Sequence, residues 1–171
     1  MATAETDKPS PVDTARDVFE NVINQRDAEA LRPYWSDDLV EEFPTQTYHG
    51  PDEMVRYFAE TFSALPDFHI EPERIAGHDE TVFVKWRLTG TFTGAPWQGI
   101  QPTGDRIELN GVDCVTVRDG KVVHNAVIFD QLSFAQQIGM LPAKDSIGER
   151  AMRALFNMRT KLKHRFGRSG G

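Results

Sequence analysis

The chain has 171 residues, of which 39% are hydrophobic and 26% charged. That is room for one globular domain with its own core, and it excludes a disordered or fibrous chain. No apolar run approaches the ~20 residues that cross a bilayer, and Met1–Asp7 lacks the basic-then-apolar layout of a signal peptide, so the expected compartment is the cytoplasm. One cysteine, Cys114, allows neither an internal disulfide nor a thiolate zinc site. The net charge of −7 is uneven: from Lys144 onward eight Lys/Arg stand against Asp145 and Glu149, a net +6 that leaves −13 for the rest. An acidic body argues against nucleic acid as a ligand, because that affinity is built from Lys and Arg on phosphates.

Residues 1–12 are polar and read as a loose arm. From Asp13 or Thr14, either able to cap, Ala15, Val18, Phe19, Val22 and Ile23 repeat at helical spacing. Asp27 is expected to cap a second helix carrying Ala30, Leu31, Tyr34 and Trp35, weakened at Pro33. A turn-rich stretch follows Leu39 and Val40 and ends at Gly50-Pro51, where a third helix begins; Met54, Val55, Phe58, Phe62 and Leu65 form its buried stripe, and Pro66 stops it. From Phe68 the period changes. Residues 68–75, 81–92, 106–117 and 122–129 are rich in Val, Ile, Thr and aromatics, with a hairpin turn at Arg118-Asp119-Gly120-Lys121. Helices followed by an antiparallel sheet make an α+β domain over 13–142. A short helix is expected over 131–138. Beyond Pro142, Ser146-Ile147-Gly148-Glu149 opens a basic amphipathic helix within 143–171, with Ile147, Ala151, Leu155, Met158, Leu162 and Phe166 on one face. That helix is open to two readings: its stripe packs on the domain or a second subunit with the charges solvated, or it attaches transiently to an anionic membrane or an acidic partner.

Nucleotide-binding glycine motifs, a nucleophile elbow and the His-Glu-x-x-His spacing are all absent, so neither a cofactor nor a metal is expected. Cys114, in mid-strand, reads as a small core residue. Asp130 stands out, because it ends the apolar run Ala126-Val127-Ile128-Phe129. Two readings stay open for it. It is a carboxyl held in an apolar cavity with a raised pKa, or it caps the helix that follows. By alternation Asp130 shares a face with Ile128, Ala126 and His124, and a two-residue turn at Asp119-Gly120 puts Asp113 of the previous strand on that same face; a bulge would flip this register. Trp86, Phe92, Trp97, Phe129 and Tyr34 are candidate pocket walls, and Glu42 is a candidate second carboxylate.

The segments Thr89–Gly94, Pro102-Thr103-Gly104, Asn110–Asp113, Val117–Val123 and Asp130 with Gln137–Pro142, together with Gly50-Pro51 and Leu65–Phe68, resemble the SnoaL-like polyketide cyclases of the nuclear transport factor 2-like superfamily over about Asp13 to Pro142. The resemblance implies a cone-shaped, curved antiparallel sheet wrapped around a pocket, closed by N-terminal helices and commonly dimeric. It also implies cofactor-free acid/base catalysis on a polyketide-like, aromatic or cyclic carbonyl compound: aldol cyclisation, retro-aldol cleavage, dehydration or isomerisation. Asp130 matches the family's catalytic aspartate. Asp113 stands where the family has a histidine, and His124 and Ala126 stand where many relatives have Glu and Trp. The site expected from sequence is therefore Asp130, helped by His124 and Asp113, with Tyr34, Glu42, Trp86, Phe92, Trp97 and Ile128 around an apolar ligand. The same fold also hosts non-catalytic carriers of apolar small molecules, which is the second reading.

Overall fold

The computed structural model describes residues 8–166. The expectations for Met1–Asp7 as part of an arm, and for Arg168–Gly171 as a frayed end, lie outside the described residues.

Helix α1 (Pro11–Asp17) starts one turn earlier than the sequence pattern suggests. Ser10 Oγ accepts the Asp13 amide at 3.1 Å and Pro11 occupies the first turn, so Ser10 is the cap. The helix widens into a π turn over Val18–Val22, tightens over Ile23–Gln25 and ends at Arg26 in the left-handed region, with φ 56°. Helix α2 (Ala28–Leu31) is capped by Asp27, as its spacing implies. It does not carry Trp35. A single tight turn over Arg32–Tyr34, led by Pro33, ends the helix, and Trp35 opens strand β1 (Trp35–Phe43), which turns back through β2 (Gln46–His49). The stretch expected to be irregular is thus a hairpin. Helix α3 (Gly50–Ala64) follows, and then β3 (His69–His78), β4 (Thr81–Thr91), β5 (Arg106–Arg118) and β6 (Lys121–Phe129).

The six strands form one curved sheet in the order β2-β1-β6-β5-β4-β3. All pairs are antiparallel except β1 with β6, which runs parallel. The β5–β6 turn has Asp119 and Gly120 at φ 51° and 77°, the two left-handed residues that a tight hairpin requires. Immediately beyond it the register slips: Val117 pairs with Val122, but Thr116 pairs with His124. Val123 is the extra residue of a β-bulge, and it moves every later β6 side chain to the opposite face. The concave face therefore presents Val122, Asn125 and Val127, all buried, while Ile128 is 65% exposed on the convex face.

Helices α1 and α3 cover the concave side, burying Met54, Leu65, Phe68, Val82, Val84 and Ile107 almost completely. Each such side chain contributes about 1.5–3 kcal/mol of apolar burial. Helix α4 (Gln131–Gln137) closes the end of the sheet against β5. Helix α5 (Ile147–Phe166) makes no extensive contact with the body among the described residues. Its apolar stripe faces outward: Ile147 is 86% exposed, and Leu155, Phe156, Met158 and Leu162 are also exposed. No helix among the described residues is long and apolar enough to cross a membrane. Because α5 shares so little surface with the domain, deleting residues 143–171 is expected to move the thermal midpoint by less than about 3 °C, roughly 1 kcal/mol at this size. Calorimetry of the truncated and full chains checks this, and a larger drop would mean that α5 supports the fold.

Candidate active site

Between the concave sheet and helices α1 and α3 lies a cavity of about 120 Å³. Its walls are mostly apolar and aromatic. Phe43, Leu88, Trp97, Phe129 and Phe134 of the lining are half-buried. Trp97 and Phe134 meet edge to face with ring centroids 5.2 Å apart, and Phe129 and Phe134 meet similarly at 6.5 Å.

Three buried polar side chains from three strands converge at this cavity: Glu41 of β1, Asp113 of β5 and Asn125 of β6, respectively 5%, 6% and 6% exposed. Asn125 joins them. Its Nδ2 donates to Glu41 Oε1 at 2.7 Å and to Asp113 Oδ2 at 2.8 Å. Trp86 Nε1 donates to the other Asp113 oxygen, Oδ1, at 2.7 Å. The indole reaches that position because Trp86 pairs across strands with Gly111; a Cβ at residue 111 would lie 2.2 Å from the Trp86 ring. A glycine in mid-strand, normally a weak choice, is explained here by the close approach of the aromatic ring.

Burial acts on both acids in the same direction, against charge. It pushes the Asp113 carboxyl up to about 6, a rise opposed by the hydrogen bonds from Asn125 and Trp86. Glu41 is pushed well above the ordinary carboxylate range, first by burial and then by the charge of Asp113, with only the Asn125 bond opposing. Asp113 accepts two strong donors and Glu41 one, so Asp113 is the more readily ionised of the two and Glu41 holds its proton to higher pH. Tyr57 of α3 also lines the cavity, and burial raises its hydroxyl above the ordinary tyrosine value. Two polar atoms of the lining find no partner among the described residues: Asn125 Oδ1 and Trp97 Nε1, both fully buried. A buried acceptor left unmet costs about 1–3 kcal/mol.

The structure sorts the residues singled out from sequence. Asp113, Trp86 and Trp97 line the cavity. Asp130 does not: it is exposed, and its Oδ1 accepts the Ser133 amide at 3.0 Å as the cap of α4. The picture of Asp130 as a carboxyl sunk in an apolar hollow is corrected by the bulge at Val123, which turns Phe129 inward, and by the helix that starts one residue later. The same bulge places His124 and Ile128 on the convex face, where His124 Nε2 lies 3.6 Å from Glu42 Oε1. Glu42 is half exposed and points away from the cavity. Phe92 is fully buried behind Trp97, at a centroid distance of 6.5 Å, and is not part of the wall. Tyr34 is outside the lining, and its hydroxyl donates to Asp17. Cys114 lies half-buried on β5, outside the cavity lining.

Glu41, Asn125 and Tyr57 were not found from sequence. For Glu41 a signal existed in the alternation Leu39, Glu41, Phe43. For Asn125 the only trace is Val122-Val123-His124-Asn125, which breaks strict alternation. No group of three or more His, Cys, Asp or Glu side chains suited to a metal ion occurs among the described residues.

Comparison with known proteins places this geometry in context. A family model described as SnoaL-like polyketide cyclase matches residues 13–138. Among solved structures, a protein described as a SnoaL-like polyketide cyclase from Jannaschia sp. CCS1 superposes with a TM-score of 0.69 at 23% identity, covering 77% of this chain and 93% of that one. AclR from Streptomyces galilaeus, described as a hydroxylase, gives 0.64 at 23% identity over 89% and 96%. IdmH from Streptomyces antibioticus, described as a polyketide cyclase, gives 0.64 at 24% identity over 77% and 99%. A search of curated proteins finds no match.

Two outcomes test the site as described. In Gly111→Ala the new Cβ displaces the indole, so a stability loss of about 1–3 kcal/mol and an altered tryptophan emission are expected; an unchanged spectrum and midpoint would contradict the contact. The second concerns pH. The folded chain holds the Asp113 proton up to about pH 6, whereas an unfolded aspartate releases it near ~3.9. Protonation therefore favours the fold: this contribution is full below about pH 4 and is lost as pH rises through about 6. Urea titrations are expected to show wild type losing about 2–3 kcal/mol relative to Asp113→Asn across that window, and parallel curves would refute the shift.

Proposed function

We propose that this chain, which belongs to the SnoaL-like polyketide cyclase family, is a cofactor-independent acid/base enzyme acting on an apolar cyclic or aromatic carbonyl compound. In this reading Asp113 is the base, Glu41 the acid and Asn125 the residue that holds the two in register. One observation carries it. Two buried carboxyls are bridged by a single amide inside a mostly apolar cavity, and their surroundings separate their proton affinities. Groups whose environments drive them apart in this way make an acid and a base at one pH.

The chemistry follows from the arrangement. The Asp113 carboxylate takes a proton from the carbon beside a carbonyl, and the electrons of that C–H bond move into an enolate. Glu41 gives its proton to the developing oxyanion, so the charge is quenched as it forms. Asn125 and Trp86 already hold Asp113 with two hydrogen bonds, which keeps the base in place before substrate arrives. An enol formed in this way can be reprotonated at another carbon, an isomerisation, or can attack a second carbonyl of the same molecule, an aldol ring closure. The apolar walls keep water from competing for the proton.

Exchange of α-hydrogens for deuterium in small ketones such as acetophenone and cyclohexanone, followed by proton NMR, measures the first step without knowledge of the natural substrate. Asp113→Asn is expected to slow catalysed exchange by about 10²-fold or more, Glu41→Gln to slow it too, and Asp130→Asn to leave it unchanged. Full exchange by a folded Asp113→Asn protein, or its loss in Asp130→Asn, would overturn the assignment.

A further inference from the structure

We propose that helix α5 docks on an anionic membrane surface, lying in its plane with the apolar stripe against the acyl chains and the bordering arginines and lysines among the phosphates. This inference does not rest on the acid/base reading of the cavity.

The apolar side of the helix is uncovered. Met152, Leu155, Phe156, Met158 and Leu162 are all exposed, from 46% for Leu162 to 68% for Phe156, and α5 makes no extensive contact with the body among the described residues. At about 3.6 residues per turn, Ile147, Ala151, Leu155, Met158 and Leu162 run down one line of the helix, and Met152 and Phe156 widen it on one side. Cations border this stripe on both sides. Arg150 and Lys161 lie along one edge and Arg159 and Lys163 along the other, while Glu149, Arg153, Asn157 and Thr160 occupy the far side. A long basic side chain at the border of an apolar stripe keeps its stem in hydrocarbon and its charge at the headgroups, which is how a helix lies in a bilayer surface.

Charge selects the occupant. Beyond Glu149 the helix has no acidic residue. Arg153 pairs with Glu149 at 2.7 Å, but Arg150, Arg159, Lys161 and Lys163 make no ion pair among the described residues. Two copies of α5 laid stripe to stripe would bring these like-charged borders together with no acid to meet them. On the acidic body, Glu71, Glu73 and Glu80 are already engaged by Arg87, Lys85 and Arg118. An anionic surface answers both features of the helix, and it repels the body, so the molecule approaches with α5 first. The 20 residues of α5 span about 30 Å, and the helix is not apolar enough to cross a bilayer, so it lies flat. Helix α4, whose Phe134 lines the cavity, ends only nine residues before α5 begins. Docking therefore holds the apolar cavity near a phase in which apolar compounds concentrate.

Sedimentation of the full chain with vesicles tests the proposal, with phosphatidylcholine alone and phosphatidylcholine containing about 30% phosphatidylglycerol as the two surfaces. Wild type is expected to bind the anionic vesicles about tenfold or more tighter than the neutral ones, and less tightly as salt is raised. Leu155→Ser combined with Met158→Ser keeps the charge, and both side chains are exposed, so the fold is retained; this variant is expected to lose about tenfold or more in vesicle affinity. Arg159→Gln, Lys161→Gln and Lys163→Gln together are expected to remove most of the preference for the anionic vesicles. The proposal is overturned if wild type leaves the anionic vesicles unbound, if it binds both compositions alike, or if the Leu155/Met158 variant binds as wild type does, which would mark attraction of charges alone. Vesicle binding replaced by a dimer that dissociates in the Leu155/Met158 variant would place a second copy on the stripe, and heparin bound while vesicles are not would assign the helix to an acidic macromolecule. Either result overturns the membrane assignment.

Discussion

Two acids cannot both be charged a few ångströms apart where water does not reach, and the interior of this protein is arranged around that constraint. The Asn125 amide lies between Glu41 and Asp113 and donates to each. It gives both carboxyls a partner without neutralising either. Trp86 adds a second donor to Asp113 alone, and that asymmetry favours placing the charge on Asp113. A bridging lysine or arginine would have fixed both as anions. A neutral amide leaves the proton free to be shared.

The apolar frame serves the same end. Phe68, Val84, Ile107 and Val115 remove water from around the acids, which raises their proton affinity and also strengthens the hydrogen bonds that hold them. Such an arrangement costs stability near neutral pH. The extensive core beneath α1 and α3 offsets it. Gly111 shows how closely backbone and site are coupled, since the missing side chain on β5 is the space into which the Trp86 ring of β4 fits.

Much of this molecule was legible in its sequence. Helical spacing located α1, α3 and α5, the Asp119-Gly120 turn set the β5–β6 hairpin, and the order of helices before strands, with the family resemblance, pointed to the curved sheet. Asp113 and Trp86 were recognised as candidates and do line the cavity. The rest was hidden for local reasons. Strand β1 is rich in Asp and Glu because its outward side chains are solvated, so the chain after Leu39 and Val40 read as a turn-rich stretch and Glu41 went unnoticed among its acidic neighbours. The bulge at Val123 leaves no mark in composition, yet it exchanges the faces of β6: it takes His124 and Ile128 out of the site and brings Asn125 in. Asp130 was conspicuous as an acid ending an apolar run, and the helix cap was the simpler use for it.

The single parallel pairing in the sheet has a consequence for how this site can diverge. Glu41 reaches the cavity on β1, and β1 joins strands β3 to β6 only through its pairing with β6, in a register that itself slips between Trp35 and Val40. A small insertion or deletion in that irregular stretch would slide one acid past the other while leaving β3 to β6 untouched. The spacing between the two buried carboxyls is thus a separately adjustable dimension of the fold, set by where the β1–β2 hairpin lies along β6.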